Sequence, residues 1–192
     1  MVIAAVLGYL FGSIPTAVVV GRRMGFDPRA FGDGNPGWLN MRKLVGGAQA
    51  RKVLVLDILK GVAPAAIASS LWGPWWWGGV AGMFALVGHA FPAFAGFRGG
   101  RSVLTFMGAM AVLAPQAVGI TVAAGLVVAV LTRKFAYGAR VMVFGVPFVQ
   151  LLFQPVSHVV VTGVLMAFIG LRFLVRYLGT LSMSSRAHTS PA

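Results

Sequence analysis

Long apolar runs separated by short basic clusters constrain this chain more than any other feature. A helix needs about 20 apolar residues to cross a bilayer, and these runs lack the apolar–polar alternation of outer-membrane barrel strands. Of the 192 residues, 58% are hydrophobic and only 10% are charged, which excludes an ordinary soluble domain. The sequence therefore predicts an all-α fold, a polytopic integral membrane helical bundle.

The apolar runs predict about seven transmembrane helices. They cover residues 2–20, 53–71, 78–97, 103–114, 116–131, 141–153 and 156–171. The runs 103–114 and 141–153 are short, so five spans with re-entrant hairpins remain the alternative. We expect a single transmembrane domain over residues 1–181 and a disordered cytoplasmic tail over residues 182–192.

The basic residues predict the orientation of the bundle. Lys and Arg number 16 against three acidic residues, and the net charge is +13. When the polar segment after the first run is placed inside, every basic residue except Lys60 falls on that side, and the turns around Trp75, Pro115 and Pro155 carry none. The positive-inside rule then predicts an external N-terminus and an internal C-terminus. The basic loops face anionic lipid headgroups or bind an anionic substrate.

The polar segment after the first run is a candidate anion site. It reads Gly32-Asp33-Gly34-Asn35-Pro36-Gly37-Trp38-Leu39-Asn40 and is followed by Lys43. Glycines allow close backbone approach, and consecutive loop N–H groups can cradle an anion. Asn35 and Asn40 add donors, and Lys43 adds charge. A plain flexible connector is the alternative.

A second basic segment precedes a later apolar run and reads Arg98-Gly99-Gly100-Arg101-Ser102-Val103-Leu104-Thr105. The N-terminus of the following helix offers free N–H groups and partial positive charge, and Arg101 can grip phosphate with two hydrogen bonds. A basic turn without a ligand is the alternative. His89, shortly before this segment, is either a general base or a packed, hydrogen-bonded side chain.

Two charged residues lie within the second predicted span. Asp57 and Lys60 share one helix face because they are three positions apart. Charges inside a membrane segment are costly and face a polar interior. The two form either a structural ion pair or a substrate contact.

Taken in order, these motifs resemble the bacterial acyl-phosphate:glycerol-3-phosphate acyltransferases, the PlsY family, over nearly the whole chain. The matching residues are Gly12-Ser13-Ile14-Pro15, the Gly-x-Gly-Asn-Pro-Gly pattern at 32–37, Asn40, Gly46, Asp57-Ile58-Leu59-Lys60-Gly61, Gly88-His89, Phe91-Pro92, Gly96-Phe97, Gly99-Gly100, Val103, Thr105, Pro115 and Thr132-Arg133. The chain also departs from the family pattern. Asp33 stands where the family has Ser, Lys43 where it has Arg, and Arg101-Ser102 where it has Lys-Gly. Only Gly179-Thr180 remains of the third family motif, whose His and Asn have no counterpart.

The resemblance implies transfer of a fatty acyl group from acyl phosphate to the sn-1 hydroxyl of glycerol 3-phosphate, giving lysophosphatidate for phospholipid synthesis. It implies a bacterial inner-membrane protein whose active loops lie in the cytoplasm. The expected partners are membrane lipid and the two substrates, and no nucleic acid. No metal or organic cofactor is expected. The residues that it assigns to substrate or phosphate binding are Asn35, Gly37, Asn40, Lys43, Gly99, Gly100, Arg101, Ser102 and Thr105. At Asp33, a carboxylate either repels substrate phosphate or acts as the general base.

A function from another class stays open at this point. The chain could be a non-catalytic membrane protein that keeps the fold and binds an anionic lipid or a protein partner. Loss of the third motif favours that reading, and the retained cationic loops favour the enzyme. A transporter is disfavoured because Asp57 and Lys60 are the only charges inside a span and no internal repeat is visible.

Overall fold

The protein is a bundle of ten α-helices in the residues that the structure, a computed structural model, describes. These are residues 1–73 and 75–188, with side chains up to residue 178 except that of residue 176. The helices are α1 (Val2–Gly12), α2 (Thr16–Arg23), α3 (Trp38–Val45), α4 (Gly47–Trp72), α5 (Trp75–Ala90), α6 (Val103–Leu113), α7 (Pro115–Thr132), α8 (Phe135–Phe144), α9 (Val146–Gln150) and α10 (Val156–His188). A 3₁₀ turn covers Ala93–Ala95, and no strand occurs within these ranges. The predicted helical membrane bundle is confirmed.

Five helical segments are long and apolar enough to cross a membrane. They are Val2–Arg23, Gly47–Trp72, Trp75–Ala95, Pro115–Thr132 and Val156–Val175. The 11 residues of α6 and the paired short helices α8 and α9 fall below the span length of about 20 residues. The choice between seven and five crossings therefore stays a prediction.

Prolines mark where the helices break. The first span divides into α1 and α2 at Ser13–Pro15, because Pro15 has no N–H to donate and forces the preceding residue towards an extended conformation. Pro115 occupies the first turn of α7, where its missing N–H is not needed. The first break places Thr16 at the start of α2, beside the middle of α4.

Helices α4 and α6 cross at very short distance. A Cβ on Gly61 would collide with the Thr105 carbonyl oxygen, and a Cβ on Gly108 would collide with that of Ile58. The hydrophobic effect does not drive helices together in lipid, so their association depends on van der Waals packing. Small residues such as these glycines allow the helices to approach closely enough for that packing. The crossing holds Asp57 of α4 against the first turns of α6.

The far end of the bundle is held by a polar network inside the apolar core. Thr162 donates to Gln150 Oε1 at 2.7 Å, and Gln154 donates to the Leu113 carbonyl at 2.7 Å. Buried polar groups that bond one another in this way fix helix positions. The network ties α10 to α6 and α9, so the start of α10 has a defined place.

Helix α10 continues to His188. Its helical backbone therefore includes the first part of the 182–192 segment that we predicted to be a disordered tail. Residues 189–192 lie outside the described residues.

Candidate active site

A cavity of about 520 Å³ opens at the end of the bundle that carries the basic loops. Its polar wall comes from the loop before α3, the start of α6 and the buried middle of α4. Its apolar wall comes from α6, α8 and α10. The lining residues are Asp33, Asn35, Gly37, Trp38, Leu39, Asp57, His89, Arg101, Ser102, Val103, Leu104, Met107, Phe135, Ala139, Arg140, Met142, Val143, Phe144, Met166, Ile169, Gly170 and Phe173. A volume in this range suits a small organic ligand with part of an alkyl chain.

The loop before α3 is organised by one buried amide. Asn40 donates to the carbonyls of Pro28 and Phe31, both at 3.0 Å, and accepts from the Asp33 N–H at 3.3 Å. Asn40 is 1% exposed and does not line the cavity. In the structure Asn40 shapes the loop, and its contact with substrate stays a prediction. Its side-chain donors are already used on backbone carbonyls.

An Asx turn presents the next residues of this loop to the cavity. Asp33 Oδ1 accepts the Asn35 N–H at 3.0 Å. Asp33, Asn35 and Gly37 all line the cavity, so the structure brings together three of the residues that the sequence singled out in this segment.

An ion pair clamps this loop to the loop after α5. The Arg29 guanidinium lies 2.6 Å from Asp27 Oδ2 and donates to the Ala95 carbonyl at 2.7 Å. The hydrogen bonds from Arg29 lower the pKa of Asp27 to about 2. Sequence reasoning did not predict this ion pair or its contact with Ala95, because Ala95 contributes only a backbone atom.

The second basic segment packs its backbone onto the end of α5. The N–H groups of Gly99 and Gly100 donate to the carbonyls of Ala90 and His89, both at 3.1 Å. A Cβ on Gly100 would collide with the His89 ring. These two N–H groups are therefore not available to cradle a phosphate, and glycine is required here for close packing.

Two hydroxyls in this segment are also engaged. Ser102 has a left-handed backbone, with φ of 62°, and donates to the Leu86 carbonyl at 2.8 Å. Thr105 is fully buried and donates to the Asp57 carbonyl at 3.1 Å. Ser102 lines the cavity and Thr105 does not. The hydroxyl that Thr105 was expected to lend to substrate instead joins α6 to α4.

A buried polar cluster lies beneath the cavity. Lys60 Nζ lies 2.7 Å from Asp57 Oδ1 and donates to Thr16 Oγ1 at 3.1 Å, and Thr16 donates to the same Asp57 oxygen at 2.5 Å. Of the two readings of Asp57 and Lys60, the structure shows the ion pair. His89 Nδ1 lies 3.8 Å from Asp57 Oδ1 and is buried without a hydrogen-bond partner. Asp57 and His89 both reach the cavity wall.

Arg101 is the cation that the second segment contributes. Its Nη2 lies 3.7 Å from Asp33 Oδ2, and its guanidinium carbon lies 4.8 Å from the centroid of the Phe173 ring. Its Nε is buried without a hydrogen-bond partner. The ring of Phe173 and the carboxylate of Asp33 thus hold the guanidinium at the cavity while leaving donors for a ligand.

The structure does not bring Lys43 to this place. Lys43 is exposed in the last turn of α3 and does not line the cavity. The cation beside Asp33 in the structure is Arg101.

Three contributors were missed by sequence reasoning. Arg140 of α8 lines the cavity, and Trp38 of α3 packs edge-to-face on Phe135 of α8 with ring centroids 5.4 Å apart. Arg172 of α10 donates to the carbonyls of Ala90 and Gly100 at 3.4 Å. Both arginines had been assigned to topology alone. Only the helix rotation and the packing of α8 and α10 reveal which basic residues point inward.

Comparison with known proteins agrees with this architecture. The profile of the glycerol-3-phosphate acyltransferase family matches residues 2–179. A glycerol-3-phosphate acyltransferase of Rubrobacter xylanophilus is 42% identical over 166 residues, covering 85% of this chain and 82% of that protein. One from Klebsiella pneumoniae is 37% identical over 156 residues, covering 78% of this chain and 73% of that protein.

Solved structures give the same result. The crystal structure of PlsY (YgiH), an integral membrane glycerol 3-phosphate acyltransferase in its glycerol 3-phosphate form, superposes with a TM-score of 0.82 and 27% identity, covering 94% of this chain and 92% of that one. Its lysophosphatidic acid form superposes with a TM-score of 0.79.

The fold and the cationic, half-apolar cavity define the class as integral membrane acyltransferases. The chain belongs to the glycerol-3-phosphate acyltransferase family. The family resemblance seen in the sequence and the enzyme class that it implied are confirmed. The alternative of an unrelated transporter has no support among these relatives.

Proposed function

We propose that this protein transfers a fatty acyl group from acyl phosphate to the sn-1 hydroxyl of glycerol 3-phosphate, and that the cavity around Arg101 is its active site. One observation carries the proposal. A guanidinium donor with other polar groups and apolar side chains from three helices line the same cavity. That combination suits a substrate pair in which both members carry phosphate and one carries an acyl chain.

The main task of the protein in this reaction is to position the two substrates. Acyl phosphate is a mixed anhydride, so its carbonyl carbon is already activated. The glycerol hydroxyl oxygen forms the new ester bond, the bond from the carbonyl carbon to the phosphate oxygen breaks, and the hydroxyl proton ends on the released phosphate. Holding two anions in register and stabilising the developing oxyanion supply most of the rate enhancement.

The polar residues divide into direct and indirect roles in this proposal. Arg101 and Asn35 face the substrates, because both line the cavity. Asn40 and Thr105 hold the walls through the hydrogen bonds described above. His89 and Asp57 lie at the back of the polar wall, where they can contact the glycerol hydroxyls.

We further propose that the protein lies in the bacterial inner membrane with its basic loops in the cytoplasm. The positive-inside rule supports this orientation, since every basic residue outside a span falls on the side of the cavity. A reporter fused after Ala192 should read cytoplasmic and one inserted at Gly73 external. An external reading at Ala192 would reverse the topology.

Complementation tests the function itself. Expression in a bacterium that lacks its own glycerol-3-phosphate acyltransferase should restore growth without added lipid precursor. An Arg101→Ala variant expressed to the same membrane level should restore growth poorly. A wild-type chain that reaches the membrane and gives no growth would contradict the proposal.

A further inference from the structure

Arg140 is a cavity-lining cation with no carboxylate of its own. It lies on the face of α8 that also contributes Ala139 and Met142 to the cavity. Its guanidinium carbon lies 5.4 Å from the Tyr137 ring centroid. In the part of the chain that the structure describes, no ion pair involves Arg140.

All three acidic side chains have other partners. Asp27 pairs with Arg29, Asp33 with Arg101 and Asp57 with Lys60. No carboxylate among the described residues therefore competes with a ligand for the Arg140 guanidinium. Arg140 is exposed on α8 and also lines the cavity, so a ligand can reach its guanidinium.

The proposed reaction requires two phosphate-bearing molecules in one cavity. Like charges at short range repel strongly where water is excluded, so each phosphate needs its own cation. Among the side chains that the structure describes, Arg101 and Arg140 are the Arg and Lys residues that line this cavity, while Lys43 lies outside it.

The surroundings of the two arginines differ. Arg101 lies beside Asp33, in the wall that also carries Asn35 and His89, which suits a small polyol phosphate. Arg140 lies between Ala139 and the apolar residues Met142 and Val143, which suits a phosphate that continues into an alkyl chain.

We infer that Arg140 binds the phosphate of the acyl phosphate donor, while Arg101 binds that of glycerol 3-phosphate. The inference rests on the proposed function. The phosphate of the donor would then contact Arg140 on α8. The sequence had suggested Lys43 for phosphate contact. A guanidinium that only anchors α8 to lipid headgroups is the competing account of Arg140.

Steady-state kinetics on the purified full-length protein in detergent micelles separates these accounts. Initial rates are measured with palmitoyl phosphate and glycerol 3-phosphate, each varied in turn. The variants are Arg140→Ala, Arg140→Lys and Arg133→Ala. Arg133 is the matched control, because it is an exposed arginine before the same helix and does not line the cavity.

Arg140→Ala should raise the KM for palmitoyl phosphate by about tenfold or more, the effect of one lost charge-assisted contact. The KM for glycerol 3-phosphate should stay within about twofold, and Arg140→Lys should recover part of the loss because it keeps the charge. Arg133→Ala should match the wild type, which excludes a general effect of surface charge on micelle partitioning.

Two results overturn the inference in different ways. If the wild type turns over palmitoyl phosphate and Arg140→Ala behaves like Arg133→Ala, the headgroup-anchor account replaces it and the proposed function stands. If the folded wild type does not use palmitoyl phosphate at all, the proposed function and this inference both fall.

Discussion

The Arg101 guanidinium faces the Asp33 carboxylate at 3.7 Å, from Nη2 to Oδ2, in the wall of the cavity. The family pattern to which the sequence is similar has Ser at this position, and a Ser could not form this ion pair. Both side chains are part-exposed, and the pair is therefore weak enough to open for a substrate phosphate. Asp33 acts in our account as an internal competitor for the cation that the substrate needs.

The first prediction concerns that competition. Asp33→Ser should lower the KM for glycerol 3-phosphate by about two- to fivefold, matching the roughly 0.5–1 kcal/mol of an exposed ion pair. Asp33→Asn, which keeps the size and the hydrogen-bonding capacity, should behave similarly. Loss of turnover in both variants with unchanged KM would instead assign Asp33 the role of general base.

The second prediction compares the cations of the two loops. Arg101→Ala should reduce kcat/KM for glycerol 3-phosphate by about ten- to a hundredfold, the equivalent of about 1.5–3 kcal/mol for a charge-assisted hydrogen bond. Lys43→Ala should change it far less, since Lys43 does not line the cavity. Equal losses at the two positions would restore the phosphate role that the sequence suggested for Lys43.

The difference between Lys43 and Arg101 shows where sequence reasoning reached its limit. Apolar periodicity and charge asymmetry predicted the helical bundle, because both follow from the bilayer itself. Motif composition identified the two loops that meet at the cavity. Which side chains point inward depends on helix rotation and loop packing, and the hydrogen bonds of Asn40 and Thr105 run to backbone carbonyls that only the folded chain brings near them.

Arg140 and Arg172 are residues whose contacts were not predicted from the sequence. In the sequence each is one basic residue beside an apolar run, with no feature that marks it as part of a site. The structure separates them, since Arg140 lines the cavity and Arg172 donates to the Ala90 and Gly100 carbonyls. No periodicity within their own segments could have revealed these contacts.

The third prediction concerns the apolar wall. The Met142 side chain packs against the position of Gly125 on α7, where a Cβ would come within 3.2 Å of its terminal methyl carbon. Met142→Phe has no room to move away from the cavity and should raise the KM for long-chain acyl phosphates more than for short-chain ones. Glycerol 3-phosphate kinetics should be unaffected.

A control variant tests whether any change in an apolar side chain of this bundle alters the chain-length preference. Phe148→Ala changes an exposed aromatic residue on α9 that does not line the cavity, and it should leave chain-length preference as in the wild type. A Met142→Phe enzyme with unaltered preference would show that the acyl chain lies elsewhere.

The fourth prediction concerns the clamp between the two loops. Arg29 depresses the pKa of Asp27 to about 2 in the folded protein. A depressed pKa stabilises the fold above the unfolded value and is lost as the pH falls through the folded value. The difference in melting temperature between wild type and Asp27→Asn should therefore be constant above about pH 4 and should shrink between that pH and about pH 2.

Thermal unfolding in detergent at several pH values measures this difference. Because both proteins carry the same remaining acidic residues, subtraction removes their titration. A difference that stays constant down to pH 2 would show that the Asp27–Arg29 pair does not stabilise the loop.

The most direct test of the central account is a donor comparison with the purified protein. Labelled glycerol 3-phosphate is supplied with palmitoyl phosphate or with palmitoyl coenzyme A, and both lysophosphatidate and inorganic phosphate are quantified. We expect one lysophosphatidate for each phosphate released from palmitoyl phosphate, no product from the coenzyme A ester, and a strongly reduced rate for Arg101→Ala. Lysophosphatidate formed from the coenzyme A ester but not from palmitoyl phosphate would contradict the proposed reaction.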